Sequence, residues 1–238
     1  MLFRPSRFAY PEQAAVDLMR RLRFGTLVSI HNGEPQFSHI PLLVDVDADG
    51  KLLRLRGHFA RANPHWTALA ESPEATVIFN GPNAYVSAQW YTPGNPAAPT
   101  WNYVVVHVRG TIRLATSETV TSGIVDDLIR ANEADLPVQW DLASYSPERR
   151  AALLPHIIGF SFEITAVEPK FKLNQHYGDA DKKSAAAGLM TRGTEDAREI
   201  AELMLSTCSA DGSQSGADIS AHLPGRTETP ASDKLAGY

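Results

Sequence analysis

The 238-residue chain, 43% hydrophobic and 21% charged, has the length and composition of one well-cored domain with a small appendage. A formal net charge of −5 gives no general attraction to polyphosphate, and the single cysteine, Cys208, cannot close an intramolecular disulfide; with no Cys/His set at zinc-binding spacing, direct DNA binding is disfavoured and no metal site is expected. No apolar run reaches the roughly 18 to 20 residues of a membrane span and the first residues lack an apolar signal core, which predicts a cytoplasmic protein with no membrane partner.

Residues 11–22 begin with a proline at a helix-start position and repeat apolar residues at helical spacing (Ala14, Ala15, Leu18, Leu22), predicting a short amphipathic helix. Three β-rich segments follow, 24–31, 35–46 and 51–57. Asn32-Gly33 marks a hairpin and Asp47 to Gly50 a second turn, so the three strands read as a meander. In the next stretch Asn63 can cap a helix whose first position is Pro64, with Trp66, Leu69 and Ala70 on the inner face. Strand character returns at 75–80 and 84–91, separated by Gly81-Pro82-Asn83.

After a proline-rich loop at 92–99, the run 101–115 alternates Val104, Val106 and Val108 with Tyr103, Val105, His107 and Arg109, so one face is core and the other can meet a ligand. Helices are expected at 117–133 and 146–156, and a last strand at 159–168 that runs into Lys170 to Gln175. The resulting class is mainly β with inserted helices (α+β): six or so antiparallel strands in a small barrel, with no glycine-rich Rossmann or P-loop signature. The expected organisation is a barrel domain over 1–178, a C-terminal helical segment over 179–206 in which 194–206 carries an Ile200/Leu203/Met204 stripe, and a disordered tail over 207–238 that is poor in large apolar residues.

Four clusters could carry chemistry. His58, Ala60, Arg61 and Asn63 lie between a strand end and a helix start, a junction that suits an anion; the same residues also read as a capped helix beside a solvated arginine. Ser38-His39-Ile40-Pro41 puts polar side chains and a proline into an apolar strand, as an edge facing a ligand or as a plain exposed edge. Trp101-Asn102-Tyr103 with His107, and the pair Trp90-Tyr91, could stack on a flat heterocycle or serve as core and dimer contacts. Lys170 and Lys172, followed by Asn174 and Gln175, form a polar strand end that also reads as simple edge protection. No nucleophile motif is present, and catalytic residues are left unassigned.

Taken in order, Phe3-Arg4-Pro5 with Phe8, His39-Ile40-Pro41, Gly57-His58, Ala60-Arg61-Ala62-Asn63-Pro64 with Trp66, Gly81-Pro82 with Ala84-Tyr85, Trp90-Tyr91, Pro99 to Tyr103 with His107 and Gly110, and Lys170-Phe171-Lys172-Leu173 with Gln175 resemble the PaiB family. These FMN-binding proteins, described as negative transcriptional regulators, are similar in fold to pyridoxamine phosphate oxidase and other flavin split barrels. Ala88, Pro169 and Asn174 depart from the family's usual proline, glycine and serine at those places.

The resemblance implies an FMN-binding split β-barrel that forms a homodimer, with two equivalent cofactor sites at the subunit interface. It implies Arg61 and the backbone from His58 to Asn63, Ala60 included, around the phosphate; His39 and Ile40 along the isoalloxazine; and Trp90, Asn102, Tyr103, Lys172 and Gln175 completing the pocket, some from the partner. The expected role is redox or regulatory. An FMN-dependent oxidoreductase acting on a small-molecule substrate or reductant is the alternative, and a haem-handling protein with an axial histidine the further one.

Overall fold

The computed structural model describes residues 2–95 and 97–208. Beyond Thr207 and Cys208, the expected disordered tail lies outside the described residues. Helix α1 (Glu12–Leu22) buries Ala14, Ala15, Leu18 and Met19 and ends at Arg23 in the left-handed region. Strands β1 (Phe24–His31) and β2 (Glu34–Val46) join through Asn32 and Gly33, whose φ values of 52° and 82° are those of the two-residue turn that matches strand twist. Strand β3 (Leu52–Ala60) follows a turn held by Asp47 Oδ1, which accepts the amides of Asp49 and Lys51.

Helix α2 (His65–Glu71), β4 (Glu74–Val86), β5 (Thr100–Leu114), α3 (Glu118–Glu133), α4 (Pro147–Leu153), β6 (Ile157–Lys172), α5 (Asp179–Met190) and α6 (Glu195–Ser206) complete the described elements. The six antiparallel strands close into a barrel in the order β1-β2-β3-β6-β5-β4, with β4 returning to β1. β2 changes partner at Pro41: its first half pairs with β1 as far as Phe24↔Pro41, and pairing with β3 begins at Leu42↔Gly57. A proline, which has no amide hydrogen, is tolerated where the ladder switches sides.

Inward residues of every strand, among them Leu27, Leu42, Leu55, Phe59, Val77, Phe79, Val106, Phe160, Phe162 and Phe171, form one core. Each such side chain contributes about 1.5–3 kcal/mol on burial. Ala185, Leu189, Ile200, Leu203 and Met204 of α5 and α6 belong to the same cluster, so the stripe on α6 packs into the barrel core instead of lying on the surface. Gly110 marks a bulge in β5, and a Cβ there would lie 2.0 Å from the Glu163 carbonyl oxygen.

Three boundaries differ from expectation. β4 runs unbroken through Gly81-Pro82-Asn83, because its register with β5 shifts between Asn80 and Asn83 and the proline lies at that irregularity. The strand ends at Val86, and Trp90 lies in a 3-10 turn, Ala88–Trp90, capped by Ser87. β6 continues through Pro169 to Lys172, so the departure from the family's glycine leaves the strand intact. On α2 the buried face is His65, Ala68 and Leu69, one residue round from the expected one; Asn63 does act at its start, its Oδ1 accepting the His65 amide at 3.0 Å.

Candidate functional site

The expected site residues fall into two groups. The first gathers where β3 ends and α2 begins. Its centre is a buried hydrogen-bond chain: the two ring nitrogens of His65 lie 2.9 Å from Ser29 Oγ and 2.8 Å from Ser38 Oγ, and Asn63 Nδ2 donates to Ser38 Oγ at 2.9 Å. His65 is 2% exposed, and burial holds its ring below the usual histidine range. Asn63 thereby ties the loop after β3 to β2 beside His39 and Ile40. Sequence reasoning quoted His65 and Ser38 but assigned neither a role, and nothing in the sequence pairs Ser29 with a histidine 36 positions away.

Arg61 directs its guanidinium at main-chain carbonyls. Nε donates to Pro155 O at 3.0 Å and Nη2 to Ile157 O at 3.4 Å, and the group lies 5.8 Å from the centre of the Trp66 ring. Ala60 is exposed at the strand end. His58 is half-buried on the outer wall; its Nδ1 is buried without a hydrogen-bond partner, and burial lowers its pKa. His39 is exposed, with Nδ1 3.0 Å from Thr26 Oγ1, while the Ile40 side chain turns into the core.

The second group stands where β5 begins and β6 ends, and Tyr103 pairs with Lys172. Lys172 Nζ donates to Trp101 O at 2.7 Å and to Thr100 Oγ1. Gln175 folds back onto its own chain, its Oε1 accepting the Leu173 amide at 2.9 Å and its Nε2 donating to Phe171 O. Trp90 packs on Gly188 of α5, where a Cβ would approach the indole to 2.3 Å.

Asn102 is the correction within this group. Period-two alternation puts it on the face of Val104, Val106 and Val108, away from Tyr103 and His107; it is fully buried, with Nδ2 donating to Met204 Sδ at 3.2 Å and Oδ1 unsatisfied. Only the outward residues, Trp101, Tyr103 and His107, share the exposed wall.

The two groups occupy opposite ends of one strand. Ala60 pairs with Ile157 at the start of β6, and Tyr103 with Lys172 at its end. These 16 residues trace roughly 50 Å of strand path at about 3.3 Å each. Among the described residues no hydrogen bond or ring contact joins the groups. Between them runs the outer wall of β1, β2, β4 and β5, where Phe24, Ile30 and Phe37 are 57%, 59% and 60% exposed. The same wall carries a groove of about 880 Å³ lined by Val28, Ile30, Thr76, Arg109, Thr111 and Ser29 among others, and none of the expected cofactor residues lines it.

Comparison with known proteins accords with this architecture. Residues 2–166 match the domain family described as "Putative FMN-binding domain". The Bacillus subtilis (strain 168) protein "Protease synthase and sporulation protein PAI 2" is 31% identical over 182 residues, 76% of this chain and 85% of that one. An uncharacterized protein of Emericella nidulans is 31% identical over 202 residues, 71% of this chain and 80% of its own. Among solved structures, the FAD and heme binding protein from Mycobacterium smegmatis is similar at a TM-score of 0.52 and 16% identity, covering 77% of this chain and 80% of that one. A flavocytochrome from Azotobacter vinelandii follows at 0.51 and 16%, covering 68% and 67%. At such identities these two show the fold alone. No described helix is long and apolar enough to cross a membrane. The family match and the barrel topology together make this chain a member of the PaiB-like FMN-binding domain family, built on the flavin split barrel.

Proposed function

We propose that the chain works in the cytoplasm as a homodimeric FMN-dependent redox protein acting on a small molecule, with each cofactor held between the first residue group of one protomer and the second group of its partner. The observation that carries this reading is the separation of the two groups along β6, a distance one flavin nucleotide does not cover on the barrel wall. An isologous contact through the apolar wall between them would bring the first group of each protomer toward the second group of the other and create two equivalent sites. Phe24, Ile30 and Phe37 supply that contact.

The residues fit the cofactor. Half-exposed Trp101, Tyr103 and Lys172 offer aromatic surface and a cation on one side, and His58 Nδ1 offers an unused hydrogen-bonding atom on the other. Bound FMN supplies one- or two-electron transfer. The chain's part is to bind and orient it and, through the dimer contact, to exclude water. The acidic net charge favours this reading over direct DNA contact, so any influence on transcription would run through a partner protein or a metabolite.

The experiment is subunit mixing. Arg61→Ala and Lys172→Gln dimers each bind FMN poorly by absorbance and fluorescence titration. When the two are co-refolded, half of the dimers are mixed and each of these holds one intact site, so about a quarter of full FMN capacity returns. Mixing that restores nothing would place both groups in service of one chain. A haem-handling reading draws on His39 and His107, which both project from the bare wall in the register His39↔Thr26↔Ile78↔His107. In the visible spectrum of the purified protein, two yellow bands support FMN and a Soret band supports haem.

A further inference from the structure

The last strand ends in an unusual electrostatic arrangement. Lys170 and Lys172 project from the same face of β6 in an acidic protein, and neither has a carboxylate partner among the described residues. Lys170 is only 7% exposed. Its ammonium donates to the Phe3 carbonyl at 2.8 Å and lies between the rings of Tyr103 and Phe3, 5.2 and 5.5 Å from their centres. Lys172 finds only the neutral oxygens of Thr100 and Trp101. The nearest acid along the strand, Glu168, is engaged elsewhere: its Oε1 accepts from Arg109 and its Oε2 from the Leu2 amide.

Two more bases complete the cluster. Burial, with Lys170 behind it, holds the Lys172 ammonium below the usual lysine range. Burial, then Arg7 and Lys172, hold His176 below the usual histidine range. Each base makes its neighbour's charge harder to carry, the signature of positive potential that the protein itself leaves uncompensated. Removing an ammonium from water without a counter-charge is unfavourable unless a ligand supplies one.

The geometry points to Lys172, backed by Lys170 and Arg7, as the subsite for a phosphoryl dianion, and so assigns the phosphate end of FMN to the β6 end of the site and not to Arg61. This rests on the flavin reading above. Arg61 is the weaker candidate because its Nε and one Nη2 hydrogen are already given to the carbonyls of Pro155 and Ile157. Lys172 presents the accessible charge; Lys170, pinned by the N-terminal segment, adds a fixed positive field behind it.

The test compares FMN with riboflavin, which lacks the phosphate, by fluorescence titration of the flavin-free dimer, with inorganic phosphate followed separately by thermal shift. Wild type is expected to prefer FMN and to be stabilised by phosphate. Lys172→Gln should lose FMN affinity by about ten- to a hundred-fold, leave riboflavin within about twofold, and abolish the phosphate shift. Lys172→Arg, which keeps the charge, should retain the preference for FMN. Arg61→Ala should weaken both flavins alike. A Lys172→Gln protein that keeps the wild-type FMN-to-riboflavin ratio overturns the assignment, as does an Arg61→Ala protein that loses it. If wild type binds neither flavin, the FMN reading fails. In that case a phosphate shift that Lys172→Gln removes still supports the subsite for another phosphorylated ligand, and no shift overturns it as well.

Discussion

The barrel wall has two outer regions of opposite character. Over β2, β3 and β6 it is covered by the chain's own helix α3, whose Ile124 and Leu128 pack on Leu43 in a small separate apolar cluster. Over β1, β2, β4 and β5 no helix lies on it, and Phe24, Ile30 and Phe37 face outward. Both regions belong to one sheet with the same alternation, and both present apolar side chains. A chain that supplies its own cover for one apolar wall and leaves the other uncovered has left that side for a second copy.

A charge placed under α3 should have the largest effect. Ile124→Asp buries a carboxylate with no partner, and a loss of about 4 kcal/mol or more is expected, seen as aggregation or as a greatly reduced urea midpoint. The same chemistry on the bare wall should act on assembly and not on folding. Phe37→Asp is expected to leave the melting temperature within a few degrees of wild type, convert the dimer to a monomer in light scattering, and lower FMN capacity with it. If Phe37→Asp stays dimeric, or unfolds as readily as Ile124→Asp, the contrast between the two walls is wrong.

The smallest effect sharpens the first residue group, at the boundary between the walls. His65 has its folded pKa depressed by burial, so between that value and the unfolded value of about 6.5 the unfolded chain binds the extra proton and stability rises with pH. Its contribution is complete above about pH 6.5 and declines on acidification. Stability of His65→Gln should therefore change less between pH 7.5 and 5.5, by about 1 kcal/mol. Unfolding curves for the two proteins at both pH values give the difference, and parallel pH profiles would remove His65 as the source.

Local chemistry made much of this legible in the sequence. Asn32-Gly33 can hardly be anything but a tight hairpin, and the valines of β5 announce their face by alternation. The same alternation, applied strictly, also puts Asn102 on the inner face, so that error came from grouping residues by chemical type. Other features depend on contacts distant in sequence. Lys170 looks like an exposed strand end until Phe3, 167 positions earlier, lies over it. Helix α5 buries Ala185 and Ala186, side chains too small to mark a stripe, and only its packing on the core reveals which face is inner. That the expected cofactor residues divide between two ends of β6 is a property of barrel register, which no stretch of sequence displays.

Closure of the ring by β6 also sets the order in which the protein can be made. Gly57 of β3 must wait for Phe160 before it has a neighbour on its open side, and β5 waits for the same strand. At about 5–20 residues per second, ribosomal synthesis leaves β3 with a free edge for roughly 5 to 20 s. A nascent chain released before β6 has been made carries two unpaired strand edges, and an exposed edge is a template for aggregation. During synthesis the last strand is therefore the one that decides between a closed barrel and an aggregate, and a chaperone that shields β3 and β5 would matter most just before it emerges.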